Sequence, residues 1–156
     1  MSSEARLAET LAKLGMKLPA APAPKGLYKS LVVVGNLAYT SGHLPVDADG
    51  KLVTGRVGAD LDVAAGHAAA RLAGLNILAS LRQQFGSLDR VGRVVKILGV
   101  VNCTPDFTQQ PAVVNGCSEL FAEVFGPESG VGARSAIGVN TLPLGVPVEI
   151  EAVFEI

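Results

Sequence analysis

The chain has 156 residues, a formal net charge of -1 and 17% charged residues, against about 25% in a typical soluble domain. This length fits one domain, and the near-neutral charge argues against a general nucleic-acid binder. Every apolar run is shorter than the roughly 20 residues of a transmembrane helix, and the first residues lack the basic and apolar parts of a signal peptide. We therefore expect a cytoplasmic protein without a membrane partner. Its 49% hydrophobic residues predict an apolar surface that another subunit covers.

The first 25 residues predict a short helix and a proline-rich linker ahead of a single folded domain over residues 26–156. Leucines recur at helical spacing between residues 4 and 14, with Ser2 or Ser3 available as the N-cap and Gly15 available to end the helix. Proline fixes φ and disfavours helix in the residue before it, so the next stretch should be extended. The prolines of this linker are Pro19, Pro22 and Pro24.

A β-hairpin follows the linker. Residues 31–34 and 37–41 are apolar or β-branched runs, as strands require. They flank Gly35-Asn36, a two-residue loop of the kind that closes a hairpin. Residues 47–50 supply the next turn.

The longest predicted element is a helix over about residues 62–85. Apolar residues recur there every three or four positions, Asp60 or Asp62 can cap the start, and Gly86 can end it. Two glycines inside the helix would each cost about 1 kcal/mol relative to alanine, so we expect them to permit close packing against a sheet. They are Gly66 and Gly74.

A buried strand and a second main helix come next. Residues 94–103 are almost continuously apolar, which predicts a central strand covered on both faces, with Gly99 as a candidate bulge. Pro111 suits the first position of a helix that ends at Gly126-Pro127. The residues expected to face inward from this helix are Val114, Cys117, Leu120, Phe121 and Val124.

Two strands joined by a turn end the chain. Residues 130–139 form the first, and residues 148–154 alternate so that Glu149 and Glu151 share a face opposite the apolar side chains. The order is helix, strand, strand, helix, strand, helix, strand, strand. It predicts an α+β fold, in which two main helices pack on one face of a single mixed sheet and the short N-terminal helix is added. The other sheet face would stay largely apolar, which favours an oligomer.

Cysteine and histidine do not form a metal-binding pattern in this sequence. Cys103 and Cys117 lie in apolar segments, which predicts small buried side chains rather than a disulfide framework. Adding His43 and His67 gives no pair at short ligand spacing with a second pair behind it. We therefore expect no metal site, and we expect His67 to be a packing residue.

Arg134 is the strongest candidate for a binding residue. Its guanidinium offers a planar fork of donors that matches a carboxylate, but an interfacial ion pair with Glu149 or Glu151 explains it equally well from the residues alone. The stretch 130–135 is not a phosphate loop, because it lacks the third glycine and the Gly-Lys-Ser/Thr ending. The sequence has no Gly-x-Ser-x-Gly elbow, and neither cysteine has an evident histidine partner, so no motif indicates nucleophilic catalysis.

The chain resembles the RidA/YjgF family in several separate motifs. The family's C-terminal signature is similar to Ala133-Arg134-Ser135-Ala136-Ile137 with Leu142-Pro143 and the strand Val148-Glu149-Ile150-Glu151-Ala152 of this chain. Its N-terminal motif is similar to Gly26-Leu27-Tyr28, Gly35-Asn36 and Tyr39-Thr40-Ser41-Gly42, and its second-helix asparagine is similar to Asn115. The resemblance covers roughly residues 26–156. This family is known for imine deamination and is also known under the name L-PSP endoribonuclease.

The resemblance implies a chorismate-mutase-like fold and a homotrimer with sites at the subunit clefts. It implies a 2-iminobutanoate/2-iminopropanoate-type deaminase that needs no cofactor. Arg134 would bind the carboxylate of a 2-imino or enamine acid, and Glu149 would position the attacking water. The residues that would line the cleft are Tyr28, Ser41, Gly42 and Asn115. Three of them also have a plain structural interpretation: a core aromatic for Tyr28, a strand end for Ser41 and a polar helix face for Asn115.

The sequence departs from the commonest family pattern in three places. His43 stands where glutamine usually follows Ser41-Gly42, Ala136 stands where many members have cysteine, and the N-terminal helix is an addition. These departures indicate a longer RidA-like branch whose substrate can differ from the usual one. A non-catalytic trimer that binds small carboxylates is the alternative function. A ribonuclease is less well supported, because the charge is near neutral and no histidine pair is evident.

Overall fold

The computed structural model describes all 156 residues, and a five-stranded mixed sheet forms its centre. The strand order is β1-β2-β5-β3-β4, and only β3 and β4 run parallel, joined by a helix that crosses over the sheet. The strands are β1 (Leu31–Val34), β2 (Leu37–Thr40), β3 (Arg93–Asn102), β4 (Ala133–Val139) and β5 (Val148–Glu155). The helices are α1 (Ser3–Leu14), α2 (Val63–Phe85) and α3 (Gln110–Phe125), with short 3₁₀ turns at Leu88–Arg90 and Pro143–Gly145. The predicted α+β order is confirmed.

Local signals in the sequence determine where the helices begin and end. The Ser2 side chain accepts a hydrogen bond from the backbone N–H of Ala5, and Asp62 caps α2 in the same way through Ala65. Gly15 and Gly86 end α1 and α2 in the left-handed conformation, with φ of 63° and 79°. These predicted caps and stops are therefore confirmed.

The hydrophobic core lies between the sheet and helices α2 and α3. The two helices pack closely because α2 carries glycine where α3 approaches. A Cβ atom at Gly74 would lie 3.0 Å from Leu120 Cδ2, and one at Gly66 would lie 3.1 Å from Val113 Cγ2. The prediction that these glycines pack against the sheet is wrong. They pack against the neighbouring helix, a partner that hydrophobic periodicity does not reveal.

Gly99 is also used differently from the prediction. The register irregularity of β3 lies between Val94 and Lys96, and Gly99 pairs regularly with Ile150 and Ala136. The side chain of Val114 on α3 occupies the space that a Cβ at Gly99 would need. The bulge prediction at Gly99 is therefore wrong, since this glycine serves the close approach of a helix to the sheet.

Helix α1 packs on α3 and adds Leu7, which is 2% exposed, to the core. Reciprocal bonds anchor its first turn: Glu4 Oε1 accepts from the backbone N–H of Leu88 at 2.9 Å, and the N–H of Glu4 donates to Asp89 Oδ1 at 3.1 Å. The chain then runs without regular structure to β1. None of the three helices combines the length and apolar character needed to cross a membrane.

The sheet face away from the helices remains uncovered. Buried residues of β5 alternate with outward ones, so Glu149, Glu151 and Val153 point to this outer face. The apolar side chains on it that stay substantially exposed include Val32, Val34, Tyr39 and Ile137. This arrangement agrees with the expectation of a largely apolar second face.

Candidate functional site

Arg134 lies on the edge strand β4 and points to the helix side of the sheet. It pairs with Ile97, whose side chain is buried in the core, and residues paired across neighbouring strands share a face. Its Nη1 donates to Asn115 Oδ1 at 2.7 Å and to Ser118 Oγ at 3.1 Å. Its Nε and Nη2 have no hydrogen-bond partner in the chain. One edge of the guanidinium is therefore fixed by α3, and the other donors remain available to a ligand.

Ser118 belongs to this group although sequence reasoning missed it. It follows Asn115 by three residues, and residues at this spacing lie on the same helix face. The spacing from Asn115 was the available signal. The structure thus provides two oxygen acceptors, both on α3, that orient the arginine.

No carboxylate pairs with Arg134 within the chain. Glu149 and Glu151 lie on the outer face of the sheet, and Arg134 makes no salt bridge. An ion pair between Arg134 and either glutamate of the same chain is therefore excluded. Such a pair would require a second copy of the chain.

Glu149 packs against the segment that follows β2. A Cβ atom at Gly42 would lie 2.5 Å from Glu149 Oε1, so only glycine leaves room for this carboxyl. Burial raises the pKa of Glu149 above its usual value, and the negative charge of Glu151 raises it further. The result is a half-buried carboxyl that changes its protonation state closer to neutral pH than an exposed glutamate does.

Tyr28, Ser41 and Gly42 lie together on the wall of one cavity, whose volume is about 320 Å³. The cavity is bordered by the proline-rich linker, the residues after β2 and Asn76 of α2. Ser41 Oγ donates to the carbonyl of Lys29 at 2.5 Å, which attaches the linker to the sheet. Tyr28 is half-exposed, so its interpretation as a core aromatic does not hold.

His43 connects this wall to α2. Its ring is buried, with Nδ1 2.7 Å from the carbonyl oxygen of Ser41 and Nε2 2.8 Å from Ser80 Oγ. A carbonyl only accepts, so Nδ1 carries the proton, and Nε2 of the neutral ring accepts from the Ser80 hydroxyl. Burial lowers the pKa of His43, while the bond to Ser41 acts in the opposite direction. A neutral histidine therefore holds the Ser41–Gly42 segment in place.

The remaining candidate groups have structural roles. Cys103 and Cys117 are free and buried, as predicted. Burial raises the pKa of the Cys117 thiol, and the nearby Arg134 charge opposes this only in part. His67 contacts Glu119 at 2.9 Å across the α2–α3 interface, so it has the satisfied packing role expected of it. The structure brings no three histidine, cysteine or acidic side chains together as metal ligands.

The predicted site residues thus form two separate groups. Arg134 and Asn115 lie on the helix side at the β4 edge. Glu149 and Gly42 lie on the outer side, beside the cavity that Tyr28 borders. Strand β3 lies between β5, which carries Glu149, and β4, and the two groups do not meet within one chain. We call them the arginine half-site and the glutamate half-site.

A family model described as "YjgF/chorismate_mutase-like, putative endoribonuclease" matches residues 6–150. The chain belongs to this family. The match begins within α1, so it includes most of the first 25 residues as well as residues 26–150. The recognised motifs and the sheet with helices on one face agree with this membership.

Relatives with curated names share much of the chain. TCP17 of Trypanosoma cruzi is 46% identical over 151 residues, 97% of this chain and 94% of that protein. A protein of Escherichia coli strain K12 named 2-iminobutanoate/2-iminopropanoate deaminase is 33% identical over 133 residues, 85% of this chain and 90% of that protein. Family-level relationship to named deaminases is therefore established.

Solved structures confirm the chorismate-mutase-like fold. The protein Atu1372 of Agrobacterium tumefaciens superposes with a TM-score of 0.91 at 42% identity, covering 99% of this chain and 94% of that one. RidA of the Antarctic bacterium Psychrobacter gives a TM-score of 0.62 at 31% identity, covering 90% of this chain and 98% of that one. The chain therefore matches some relatives over nearly its whole length and the RidA structure over a smaller part.

Proposed function

We propose that the protein hydrolyses reactive 2-imino or enamine acids to 2-keto acids and ammonia in clefts between the subunits of a homotrimer. The observation that carries the proposal is the division of the site into two complementary half-sites. One half-site has a guanidinium with free donors, and the other has a half-buried carboxyl. A neighbouring subunit would bring the two together.

Arg134 is suited to hold the substrate carboxylate. Asn115 and Ser118 fix one side of its guanidinium, so little side-chain freedom remains to be lost when a ligand binds. The free donors on the other side match the two oxygens of a carboxylate. The reacting carbon of a 2-imino acid is bonded to that carboxylate, and anchoring it therefore positions the C=N bond.

Glu149 is suited to activate the water. In the proposed reaction, its carboxylate takes a proton from water as the water oxygen bonds to the imine carbon, and the proton passes to nitrogen. The resulting carbinolamine breaks its C–N bond, which releases ammonia and leaves the keto acid. A carboxyl with a raised pKa is a better base and more readily returns the proton near neutral pH. Imines already hydrolyse in water, so positioning and proton transfer suffice.

The outer sheet face supports the oligomer. It carries exposed apolar side chains of three different strands together with Glu149. A closed cyclic assembly would cover this surface and at the same time place each glutamate half-site beside a neighbour. Assembly and activity are therefore expected to depend on the same face.

The test couples the protein to a threonine dehydratase, which generates 2-iminobutanoate, and follows keto-acid release. Glu149→Gln keeps the shape of the side chain but loses its basic oxygen, so we expect 2-oxobutanoate binding to survive and turnover to fall to the uncatalysed rate. Glu151→Gln is the matched control, because this residue shares the outer face of β5 but is exposed. We expect it to affect chiefly assembly or stability.

Three outcomes would contradict the proposal. Full activity of Glu149→Gln would remove Glu149 from the chemistry. Selective loss of turnover in an intact Glu151→Gln oligomer would assign the role to the wrong glutamate. A wild-type protein that binds 2-oxobutanoate without accelerating imine hydrolysis would instead be the non-catalytic carboxylate binder.

A further inference from the structure

The cavity beside the glutamate half-site is larger than the smallest substrates need. Its volume of about 320 Å³ lies at the lower end of the range for small-molecule sites, about 300 to 1,000 Å³. A methyl or ethyl group, similar in size to one or two water molecules of about 30 Å³ each, would leave most of it filled with water. The cavity therefore fits a longer group.

The cavity reaches from Gly42 at the glutamate half-site to Asn76 of α2. Gly42 borders it and also contacts Glu149, so the proposed point of water attack lies beside the cavity. Most of its wall surface is apolar and comes in part from Leu44, Val46 and Leu52. The polar side chains that also line it include Lys25, Ser30, Ser41 and His43. An extended ligand anchored in the subunit cleft would enter past Gly42 and place its far end against α2.

Asn76 of α2 provides an oriented amide on the cavity wall. Asn76 is 1% exposed, and its Nδ2 donates to the carbonyls of Val46 and Leu72, both at 2.8 Å. Since both partners are carbonyl oxygens, the nitrogen must face them, and the orientation of the amide is determined. Asn76 Oδ1 accepts no hydrogen bond within the chain, and Asn76 lines the cavity.

The geometry points to a side-chain subsite that takes a long, mainly apolar substrate side chain ending in a hydrogen-bond donor, with Asn76 Oδ1 as its acceptor. This inference rests on the proposed function and specifies its substrate class: 2-imino acids with side chains such as 4-hydroxybenzyl. A mainly apolar wall surface with a few oriented polar groups is the usual basis for selecting such a side chain. A bound side chain that covers Asn76 Oδ1 without donating to it would leave this acceptor without a partner, which disfavours an analogue that lacks the donor.

Calorimetric titration with stable 2-keto acids tests the subsite without requiring turnover. The ligands are 2-oxobutanoate, phenylpyruvate and 4-hydroxyphenylpyruvate, and the last two differ by one hydroxyl. For the wild type we expect both aromatic acids to bind more tightly than 2-oxobutanoate. The hydroxylated acid should bind about fivefold more tightly than phenylpyruvate, the factor of a typical net hydrogen bond.

Leu52→Phe fills the cavity and leaves every polar group in place. We expect it to weaken both aromatic acids about tenfold or more, because it displaces a buried ring, and to change 2-oxobutanoate binding less than about twofold. Leu14→Phe is the matched control, since the same substitution in α1 lies outside the cavity. Asn76→Leu should abolish the difference between the two aromatic acids. If the Asn76→Leu variant does not fold because its hydrogen bonds are lost, the Leu52→Phe variant still tests the subsite.

The results separate this inference from the proposed function. Equal binding of all three acids by the wild type, or unchanged aromatic binding in Leu52→Phe, would overturn the subsite alone. An equal loss for all three acids in Leu52→Phe would overturn it as well. If 2-oxobutanoate does not bind the wild type at all, the carboxylate anchor fails and the proposed function with it.

Discussion

Replacing Arg134 by lysine tests the arginine half-site, because the expected loss of carboxylate affinity can be derived from the contacts of the guanidinium. Nη1 already donates to Asn115 Oδ1 and Ser118 Oγ, so ligand binding relies on the remaining guanidinium donors. A lysine ammonium would be attracted to the same two oxygens and could offer a carboxylate at most one bond. One charged hydrogen bond contributes about 1.5 to 3 kcal/mol, which corresponds to a loss of about 10- to 150-fold in affinity.

The assay is calorimetric titration of 2-oxobutanoate into Arg134→Lys and into Arg93→Lys. Arg93 is the matched control, because it lies on the neighbouring strand β3 and pairs with Glu155 at 3.3 Å near the surface. We expect Arg93→Lys to bind as the wild type does, and we expect both variants to keep the fold. Affinity of Arg134→Lys within twofold of the wild type would return Arg134 to a structural role and refute the reasoning.

Two further substitutions test the glutamate half-site and its support. Gly42→Ala places a methyl group on the Glu149 carboxyl, so kcat for imine hydrolysis should fall up to about 100-fold with KM little changed; unchanged kcat would mean that the carboxyl position does not matter. In the wild type, burial holds the pKa of His43 below 6.5, so the unfolded chain takes up the proton first and stability falls as pH drops below that value. Denaturant unfolding at about pH 7 and about pH 5 gives the free energy of unfolding at each pH, and the decrease between them should be smaller in His43→Gln than in the wild type. An equal decrease in both proteins would show that other groups cause the acid sensitivity.

Features encoded by neighbouring residues were predictable from the sequence. The Gly35-Asn36 loop determines the β1–β2 register, and Ser2 and Asp62 cap their helices through bonds only three residues away. The strict alternation of β5 likewise placed Glu149 on the outer face. Such signals act over a few residues, so one sequence contains them completely.

Features that depend on which elements meet were not predictable. The face of Arg134 follows from its pairing with Ile97 on β3, which nothing in β4 specifies. The contact partner of Gly74 and the bond between His43 and Ser80 join residues that are distant in sequence. The division into two half-sites was therefore visible only in the folded chain, although the resemblance had implied sites at subunit clefts.

Subunit complementation measures directly whether the half-sites of neighbouring chains act together. Arg134→Ala and Glu149→Gln chains, each inactive alone, are unfolded, mixed in equal amounts, refolded and assayed with 2-iminobutanoate. If each cleft takes Arg134 from one chain and Glu149 from the next, random assembly restores about one quarter of the wild-type rate. A mixture of wild type and the double variant is the control. A cleft shared between chains gives about one quarter of the wild-type rate in this mixture, whereas a site within one chain gives about one half. A mixture of the single variants that stays inactive would contradict the shared cleft.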